Sequence, residues 1–291
     1  MQSICAIILA LSMALPASPS LAQEEITIGL VPEMNVFAQT QRFEPLAKYL
    51  SRETGIQVRL SVLNRYSNII EELQQQKIDA AFLGSLTAAI AISELGAIPV
   101  ARPVNLDSTS TYHGLIFARK DSKIVKFSDM QNKSMAFVER STTAGYIFPL
   151  AWLKRKGVTD HKEFFREFFF AGSHDAAIDA VMKKKVDIGA AKNTIFQYYL
   201  DRFSAARNAL TVIAKSKPVP SNGLCVTSSV SKETITKLQT ALVSMARTTQ
   251  GREVLKTLRA KKFVKTHSAD YTPVFDLITE AGISLETYLN K

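Results

Sequence analysis

The chain has 291 residues, 46% of them hydrophobic, and a formal net charge of +10, which suits one large domain or two lobes and favours anionic ligands or surfaces. Its four histidines are far apart and lack the spacing of a metal site or a hydrolase triad, so neither is predicted. The basic residues are scattered along the chain, and we therefore predict no nucleic-acid partner. No cofactor is predicted.

The N-terminal residues have the pattern of an export signal. Ile4 to Leu15 form an almost unbroken apolar run, and Ser20-Leu21-Ala22 is a small-residue cleavage site. The run is too short for a permanent transmembrane helix, and we predict no later membrane span. We expect cleavage after Ala22 and an exported, soluble chain. Cys225 is the single cysteine after that point, so no intrachain disulfide is expected.

After the signal, short apolar strands alternate with helical patterns. Strands are predicted over residues 26–31, 58–62 and 79–83, and helices over residues 43–52, 67–76 and 86–94. Gly55 follows the first helix as a stop signal. This alternation is typical of a parallel sheet that is covered by helices.

The same alternation begins again at Leu115. Strands are predicted over residues 115–119, 135–138, 168–171, 186–191 and 210–214, and helices over residues 146–156, 174–184, 193–203, 232–247, 252–258 and 273–289. The residues around Asp79 resemble those around Asp187, and such a repeat implies two similar lobes. Because ligands bind at the carboxyl ends of parallel strands, we expect the strand ends at Gly84 and near Ser141 to face each other across a cleft.

A hydroxyl-rich run, Ser141-Thr142-Thr143-Ala144-Gly145, precedes one of the predicted helices. The first N–H groups of a helix have no partner within it and carry a partial positive charge, so they attract small anions. Ser and Thr are also preferred at helix N-termini for local reasons. The run alone therefore leaves two alternatives, an ordinary helix cap and an anion site.

Six short segments of the chain are informative together through their order and spacing. They are Arg42 to Ala47, Asp79 to Gly84, Ala118 to Ser122, Ser141 to Gly145 with Pro149, Gly172 to Asp175, and Val186 to Ile188. In these segments the chain resembles the periplasmic phosphonate-binding proteins, which are solute-binding components of ABC importers. The likeness covers nearly all of the chain after the signal.

The resemblance implies an α/β, two-lobed type II periplasmic binding protein fold, in which each lobe is a mixed, mostly parallel sheet with flanking helices. Residues 1–22 are the signal peptide, residues 23–118 and 218–291 form the first lobe, and residues 119–217 form the second. Two crossing strands act as the hinge, and ligand binding closes the cleft.

The resemblance also implies an oxyanion site. The family's Ser-Thr-Ser-Gly motif, aligned on Gly145 and Pro149, places its hydroxyl positions on Thr142, Thr143 and Ala144, so the third hydroxyl is missing. Ala144 keeps its backbone N–H, and Ser141 is adjacent. The family's anion-contacting tyrosines and histidine fall on Tyr66, Tyr112 and His174. Asn222 and Ser85, the latter at another predicted helix start after Gly84, complete the expected ligand-binding residues. Local alternatives remain for several of them, namely packing for Tyr66 and helix capping for Ser85 and His174.

Two positions depart from the aminoalkylphosphonate binders of this family. Their two ammonium-binding carboxylates fall on Thr194 and Asn222, which are neutral, and a buried ammonium without a carboxylate partner is costly. We therefore expect no preference for an aminophosphonate, and leave open whether Glu33 replaces the missing carboxylates.

The sequence thus predicts a monomeric periplasmic protein that captures phosphonate, phosphite or phosphate and delivers it to an ABC permease in the inner membrane. A soluble sensor that takes a different small anion and feeds a membrane receptor, such as a sensor kinase, is the alternative with the same fold. An enzyme is not predicted, because no nucleophile–base pair or metal set is present.

Overall fold

The structure is a computed structural model that describes residues 24–285. The predicted signal peptide and its cleavage site after Ala22 lie outside the described residues. None of the helices between residues 24 and 285 combines the length and apolar character that a membrane span needs.

Thirteen strands are described. They are β1 (Glu25–Leu30), β2 (Gln57–Val62), β3 (Ala80–Leu83), β4 (Ile98–Asn105), β5 (Thr111–Tyr112), β6 (Gly114–Arg119), β7 (Ser134–Phe137), β8 (Glu167–Phe170), β9 (Ile188–Lys192), β10 (Leu210–Lys215), β11 (Val219–Pro220), β12 (Gly223–Val226) and β13 (Ala260–Lys265).

The α-helices of the same residues are α1 (Val36–Thr54), α2 (Asn68–Gln74), α3 (Ser85–Leu95), α4 (Phe148–Arg155), α5 (His161–Phe164), α6 (His174–Met182), α7 (Asn193–Arg202), α8 (Ser204–Ala209), α9 (Lys232–Ser244), α10 (Thr249–Leu258) and α11 (Thr272–Ala281). Helix α1 begins at Val36, before the predicted start at residue 43, because the Asn35 side chain caps it by accepting the Ala38 N–H at 3.0 Å.

Two sheets define the two lobes. The first lobe has a six-stranded sheet in the order β13-β4-β12-β3-β1-β2, and the second a five-stranded sheet in the order β10-β6-β9-β7-β8. Among the described residues, four pairings in these sheets are parallel and five antiparallel. The prediction of mixed sheets is confirmed, but parallel pairs are not the majority.

The excess of antiparallel pairs arises partly from two strands that the sequence did not predict. β4 contains Pro99 and Pro103, and proline is unusual inside a sheet because it has no N–H to donate. The register of β4 shifts against both of its neighbours, as expected at irregular positions. β13 has three lysines among its six residues, so it lacks the apolar signal of a buried strand.

The chain crosses between the lobes through β5 and β11, which pair with each other in a separate two-stranded sheet. β6 already pairs with β9 of the second lobe from Gly114 onward, before the boundary predicted at residue 118. Helix α11 packs against α4 of the second lobe as well as α3 of the first, and Arg155 pairs with Glu280 there. One hydrophobic cluster contains buried side chains of both lobes. A second cluster packs the sheet of the first lobe against α1, α9 and α10.

Candidate functional site

A π-helical turn over Thr143–Ile147 leads into α4 and shapes the hydroxyl-rich run. The Ile147 N–H donates to the Thr142 carbonyl, five residues back, at 3.1 Å. Pro149 has no N–H to offer Gly145, and the Gly145 carbonyl instead accepts the Val138 N–H at 3.2 Å. The N–H groups of the first turn are left to point beyond the helix end, and π turns of this kind are frequent at functional sites.

Glycine is required at the centre of this turn. A Cβ on Gly145 would meet the Val138 side chain and would lie 2.7 Å from Thr142 Oγ1. On the opposite side, a Cβ on Gly114 would lie 3.1 Å from the Ala144 Cα. The helix end is therefore packed closely between β6 and the end of β7, which fixes the positions of its N–H groups.

Three hydroxyl groups from different elements converge beside this helix end. Ser85 Oγ, at the start of α3, lies 2.6 Å from the Tyr112 hydroxyl and 2.8 Å from Thr143 Oγ1. All three side chains are buried. Burial raises the pKa of Tyr112, so its phenol stays protonated near neutral pH. We call this group of Ser85, Tyr112 and Thr143 the hydroxyl cluster.

Tyr66 and His174 lie next to each other in the same interlobe region. Their rings make an edge contact with 6.2 Å between centroids. The Tyr66 hydroxyl is buried and has no hydrogen-bond partner among residues 24–285, and burial raises its pKa well above the usual value. A buried phenol hydroxyl without a hydrogen-bond partner costs folding free energy, and an acceptor atom of a ligand at this position would remove that cost.

His174 is uncharged in this setting. Burial lowers its pKa to about 3, an effect that the nearby Glu33 opposes and Lys192 reinforces. His174 Nδ1 accepts the Lys192 backbone N–H at 3.2 Å, which leaves the ring proton on Nε2. The imidazole thus provides a neutral N–H donor.

The other predicted site residues have different surroundings. The Thr142 hydroxyl donates to the Glu139 carbonyl at 2.5 Å, which closes the loop before the helix instead of joining the hydroxyl cluster. Ser141 and Ala144 are buried in the same loop and turn. Asn222 Oδ1 accepts from Lys192 Nζ at 2.9 Å and so belongs to a separate, charged group.

Glu33 and Lys192 form an ion pair that the sequence did not predict. Lys192 Nζ lies 2.6 Å from Glu33 Oε1, and each side chain is 6% exposed. Arg42 approaches the same carboxylate at 3.8 Å. Despite burial, the two cations hold the pKa of Glu33 below its usual value, whereas burial lowers the pKa of Lys192 against the effect of Glu33. We call Glu33, Lys192, Asn222 and Arg42 the charged cluster.

The sequence contained one signal for Lys192, which is its place at the carboxyl end of a predicted buried strand, where ligands bind in α/β sheets. Its ammonium lies 4.5 Å from the centre of the Tyr112 ring, so the charged cluster contacts the hydroxyl cluster through these two side chains.

A cavity of about 510 Å³ lies on the far side of the charged cluster. Glu33, Lys192 and Asn222 line it, together with aromatic side chains such as Phe43 and Phe196. Tyr66 and the three members of the hydroxyl cluster do not line it. The charged cluster therefore separates the cavity from the hydroxyl cluster.

Side chains of the second lobe also close the rim of the site. Glu139 accepts the backbone N–H groups of Tyr66 and Ser67, at 2.6 and 3.2 Å, just before α2. Asp175 Oδ2 accepts the Asn35 N–H at 3.1 Å, at the start of α1. Both carboxylates lie at helix N-termini, where negative charge is favourable. In the part of the chain that is described, no three His, Cys, Asp or Glu residues are grouped to hold a metal.

Comparison with known proteins gives a match over most of the chain. Residues 28–271 match the family model described as ABC transporter, phosphonate, periplasmic substrate-binding protein. Among curated proteins, the phosphate-import protein PhnD of Mycolicibacterium smegmatis is 24% identical over 226 residues, which is 75% of this chain and 70% of the relative.

Two solved structures have the same fold. A binding protein component of an ABC phosphonate transporter from Pseudomonas aeruginosa aligns with a TM-score of 0.84 and 24% identity, covering 90% of this chain and 87% of the other. PhnD1 of Prochlorococcus marinus, in complex with methylphosphonate, aligns with a TM-score of 0.80 and 18% identity, covering 89% of this chain and 98% of the other.

Proposed function

The chain belongs to the family of periplasmic substrate-binding proteins of ABC phosphonate transporters, and we propose that it captures a small oxyanion of phosphorus between its two lobes. The ligand class is phosphonate, phosphite or phosphate, and the bound form delivers it to an ABC permease in the inner membrane. The family is a transport component, which does not favour the sensor alternative.

The observation that carries the proposal is the convergence of hydroxyl groups from both lobes at one helix N-terminus. Ser85 comes from the first lobe, Thr143 from the second, and Tyr112 from the crossing strand between them. Hydroxyl groups rotate to donate, and backbone N–H groups of the helix end supplement them. Neutral donors bind an oxyanion through charge-assisted hydrogen bonds and avoid the desolvation of a buried cation.

The Tyr66 hydroxyl, which has no hydrogen-bond partner within residues 24–285, and the neutral imidazole of His174 supply two more donors beside the cluster. A ligand that contacts groups of both lobes stabilises the closed arrangement over an open one. In such a mechanism no covalent step is needed, because capture and release follow from the equilibrium between open and closed forms.

The ligands of two similar proteins support the same chemical class. The Mycolicibacterium relative is named for phosphate import, and the Prochlorococcus structure holds methylphosphonate. Both ligands are tetrahedral phosphorus oxyanions, which differ in one substituent.

Calorimetric titration of the protein with methylphosphonate, phosphite and phosphate tests the proposal. We expect at least one of them to bind, and Thr143→Ala to weaken that binding roughly 10- to 100-fold, because a hydrogen bond to a charged group contributes about 1.5–3 kcal/mol. Thr142→Ala is the matched control, with a smaller loss expected since its hydroxyl bonds to the Glu139 carbonyl.

Two results would contradict the proposal. One is the absence of binding by all three anions to the folded wild-type protein. The other is an affinity that stays unchanged when Thr142 and Thr143 are both replaced by alanine.

A further inference from the structure

Lys192 places a fixed positive charge at the edge of the hydroxyl cluster. Its side chain is 6% exposed, and its ammonium donates to Glu33 Oε1 at 2.6 Å and to Asn222 Oδ1 at 2.9 Å. The same ammonium lies 4.5 Å from the centre of the Tyr112 ring. Both acceptors come from the first lobe, whereas Lys192 ends β9 of the second.

The backbone holds this side chain in place from two directions. Lys192 pairs with Gly114 across β9 and β6, and its N–H donates to His174 Nδ1 at 3.2 Å. The backbone N–H of His174 in turn donates to the backbone carbonyl of Glu33 at 3.1 Å. The position of the ammonium is therefore set by the sheet and by a contact between the lobes.

The charges around this ammonium favour an anion and disfavour a cation. Glu33 carries one negative charge, and Lys192 and the partly exposed Arg42 carry two positive charges, so these three side chains together have a net positive charge. A ligand ammonium beside the hydroxyl cluster would meet a like charge, and the carboxylate and amide oxygens that it needs already bind Lys192.

Three side chains of the charged cluster also lie between the cavity and the hydroxyl cluster. Glu33, Lys192 and Asn222 line the cavity of about 510 Å³, whereas the hydroxyl cluster lies on their other side. A ligand substituent that extends from the hydroxyl cluster toward that cavity would have to displace an ion pair with both partners buried.

We propose that Lys192 is a specificity-determining residue, whose ammonium excludes cation-bearing ligands and restricts the site to small oxyanions without an amine. The inference rests on the proposed function, because it names which phosphorus oxyanions the same site accepts. Its ammonium binds the side-chain oxygens of Glu33 and Asn222, so a ligand amine cannot use them. The lysine side chain also blocks the path from the hydroxyl cluster to the cavity.

Two isosteric ligands test this selectivity in the wild-type protein. Ethylphosphonate and aminomethylphosphonate have the same number of heavy atoms. The first ends in a methyl group, and the second has an ammonium group in its place. In calorimetric titrations near neutral pH, we expect ethylphosphonate to bind at least about tenfold tighter, because like charges at close range are costly.

Replacement of Lys192 tests the assignment to this residue. In Lys192→Met the length of the side chain is kept and its charge is lost, so Glu33 and Asn222 become available to the ligand. We expect the preference to reverse, with aminomethylphosphonate at least about tenfold tighter than ethylphosphonate.

The double variant Glu33→Gln/Lys192→Met removes both charges and is the matched control. It avoids an uncompensated buried carboxylate, so it remains informative if Lys192→Met alone fails to fold. This variant has neither a carboxylate that attracts the ligand amine nor an ammonium that repels it. We therefore expect the dissociation constants of the two ligands to agree within about threefold.

The results separate this inference from the proposed function. Tighter binding of aminomethylphosphonate to the wild type, alongside binding of methylphosphonate, overturns the role of Lys192 and leaves the proposed function intact. A preference for ethylphosphonate that persists in Lys192→Met also overturns it. No binding of methylphosphonate, phosphite or phosphate by the wild type overturns both.

Discussion

The hydroxyl cluster and the charged cluster lie side by side between the lobes, yet they satisfy their polar groups in different ways. Ser85, Tyr112 and Thr143 are uncharged and bond to one another through rotatable hydroxyl groups. Glu33 and Lys192 are charged and bind each other in fixed geometry. Rotatable hydroxyl groups can exchange hydrogen-bond partners at low cost, whereas a buried ion pair cannot.

This difference predicts that the two clusters contribute to different properties of the protein. Removal of a hydroxyl leaves its neighbours able to rotate toward each other, so the free energy of folding changes little while the affinity falls. Removal of one charge leaves its partner buried and unpaired, which lowers the stability of the fold. The comparison therefore predicts that the two clusters separate affinity from stability.

The largest expected effect is a loss of folding stability on substitution in the charged cluster. Glu33→Gln should lower the free energy of unfolding by about 3–5 kcal/mol, because the Lys192 ammonium loses its carboxylate inside the protein. Urea denaturation without ligand measures this. The control is Glu44→Gln, which breaks the exposed pair with Lys48 at 2.7 Å and should cost about 0.3–0.5 kcal/mol. Equal losses in both variants would show that the buried pair is not a stability element.

An intermediate loss of stability is expected on substitution in the π-helical turn beside the hydroxyl cluster. Gly145→Ala introduces a Cβ only 2.7 Å from Thr142 Oγ1, and overpacking of this kind costs about 1–3 kcal/mol. Because the helix end must shift, oxyanion affinity should fall as well.

Gly84→Ala is the matched control at the start of α3, where a Cβ would have 3.7 Å to its nearest neighbour. Urea denaturation and calorimetry on both variants test the pair, and a Gly145→Ala protein that binds like the wild type would argue against a pre-formed helix end.

The smallest effect concerns the pH dependence of stability and His174, which contacts Tyr66 and the backbone of Lys192. Burial lowers its folded pKa to about 3, from 6.5 in the unfolded chain. Between these values the unfolded state binds a proton that the folded state does not, so stability rises with pH and is lost as pH falls. We expect a loss of about 1 kcal/mol between pH 6 and pH 5 from this residue.

His174→Gln should remove that part of the pH dependence, as measured by denaturation at several pH values. Glu33 faces His174 and its lowered pKa acts in the same direction, but in a window below its usual value of 4.5. His161 also has a pKa lowered by burial, so His161→Gln is the control for a general histidine effect. The same slope in the wild type and in His174→Gln would contradict the assignment.

The short motifs and the strand–helix alternation determined the fold class and the family before any coordinates. They were sufficient because apolar periodicity and turn residues act locally, and the motif order along the chain is specific. Thr143, Ser85 and Tyr112 were also named as site candidates from the sequence. Thr143 and Ser85 are hydroxyl groups at predicted helix starts, which is a local pattern, whereas Tyr112 was named through the resemblance to the family.

The partners of buried polar groups were decided by the tertiary structure alone. Nothing near Glu33 in the sequence indicates Lys192, since 159 residues separate them and contact follows from the meeting of two sheets. Thr142 and Thr143 are adjacent in the chain, yet one hydroxyl bonds to its own loop and the other to Ser85 of the opposite lobe. Periodicity reports which face of an element is buried, but the pairing of donors and acceptors across lobes depends on three-dimensional distance.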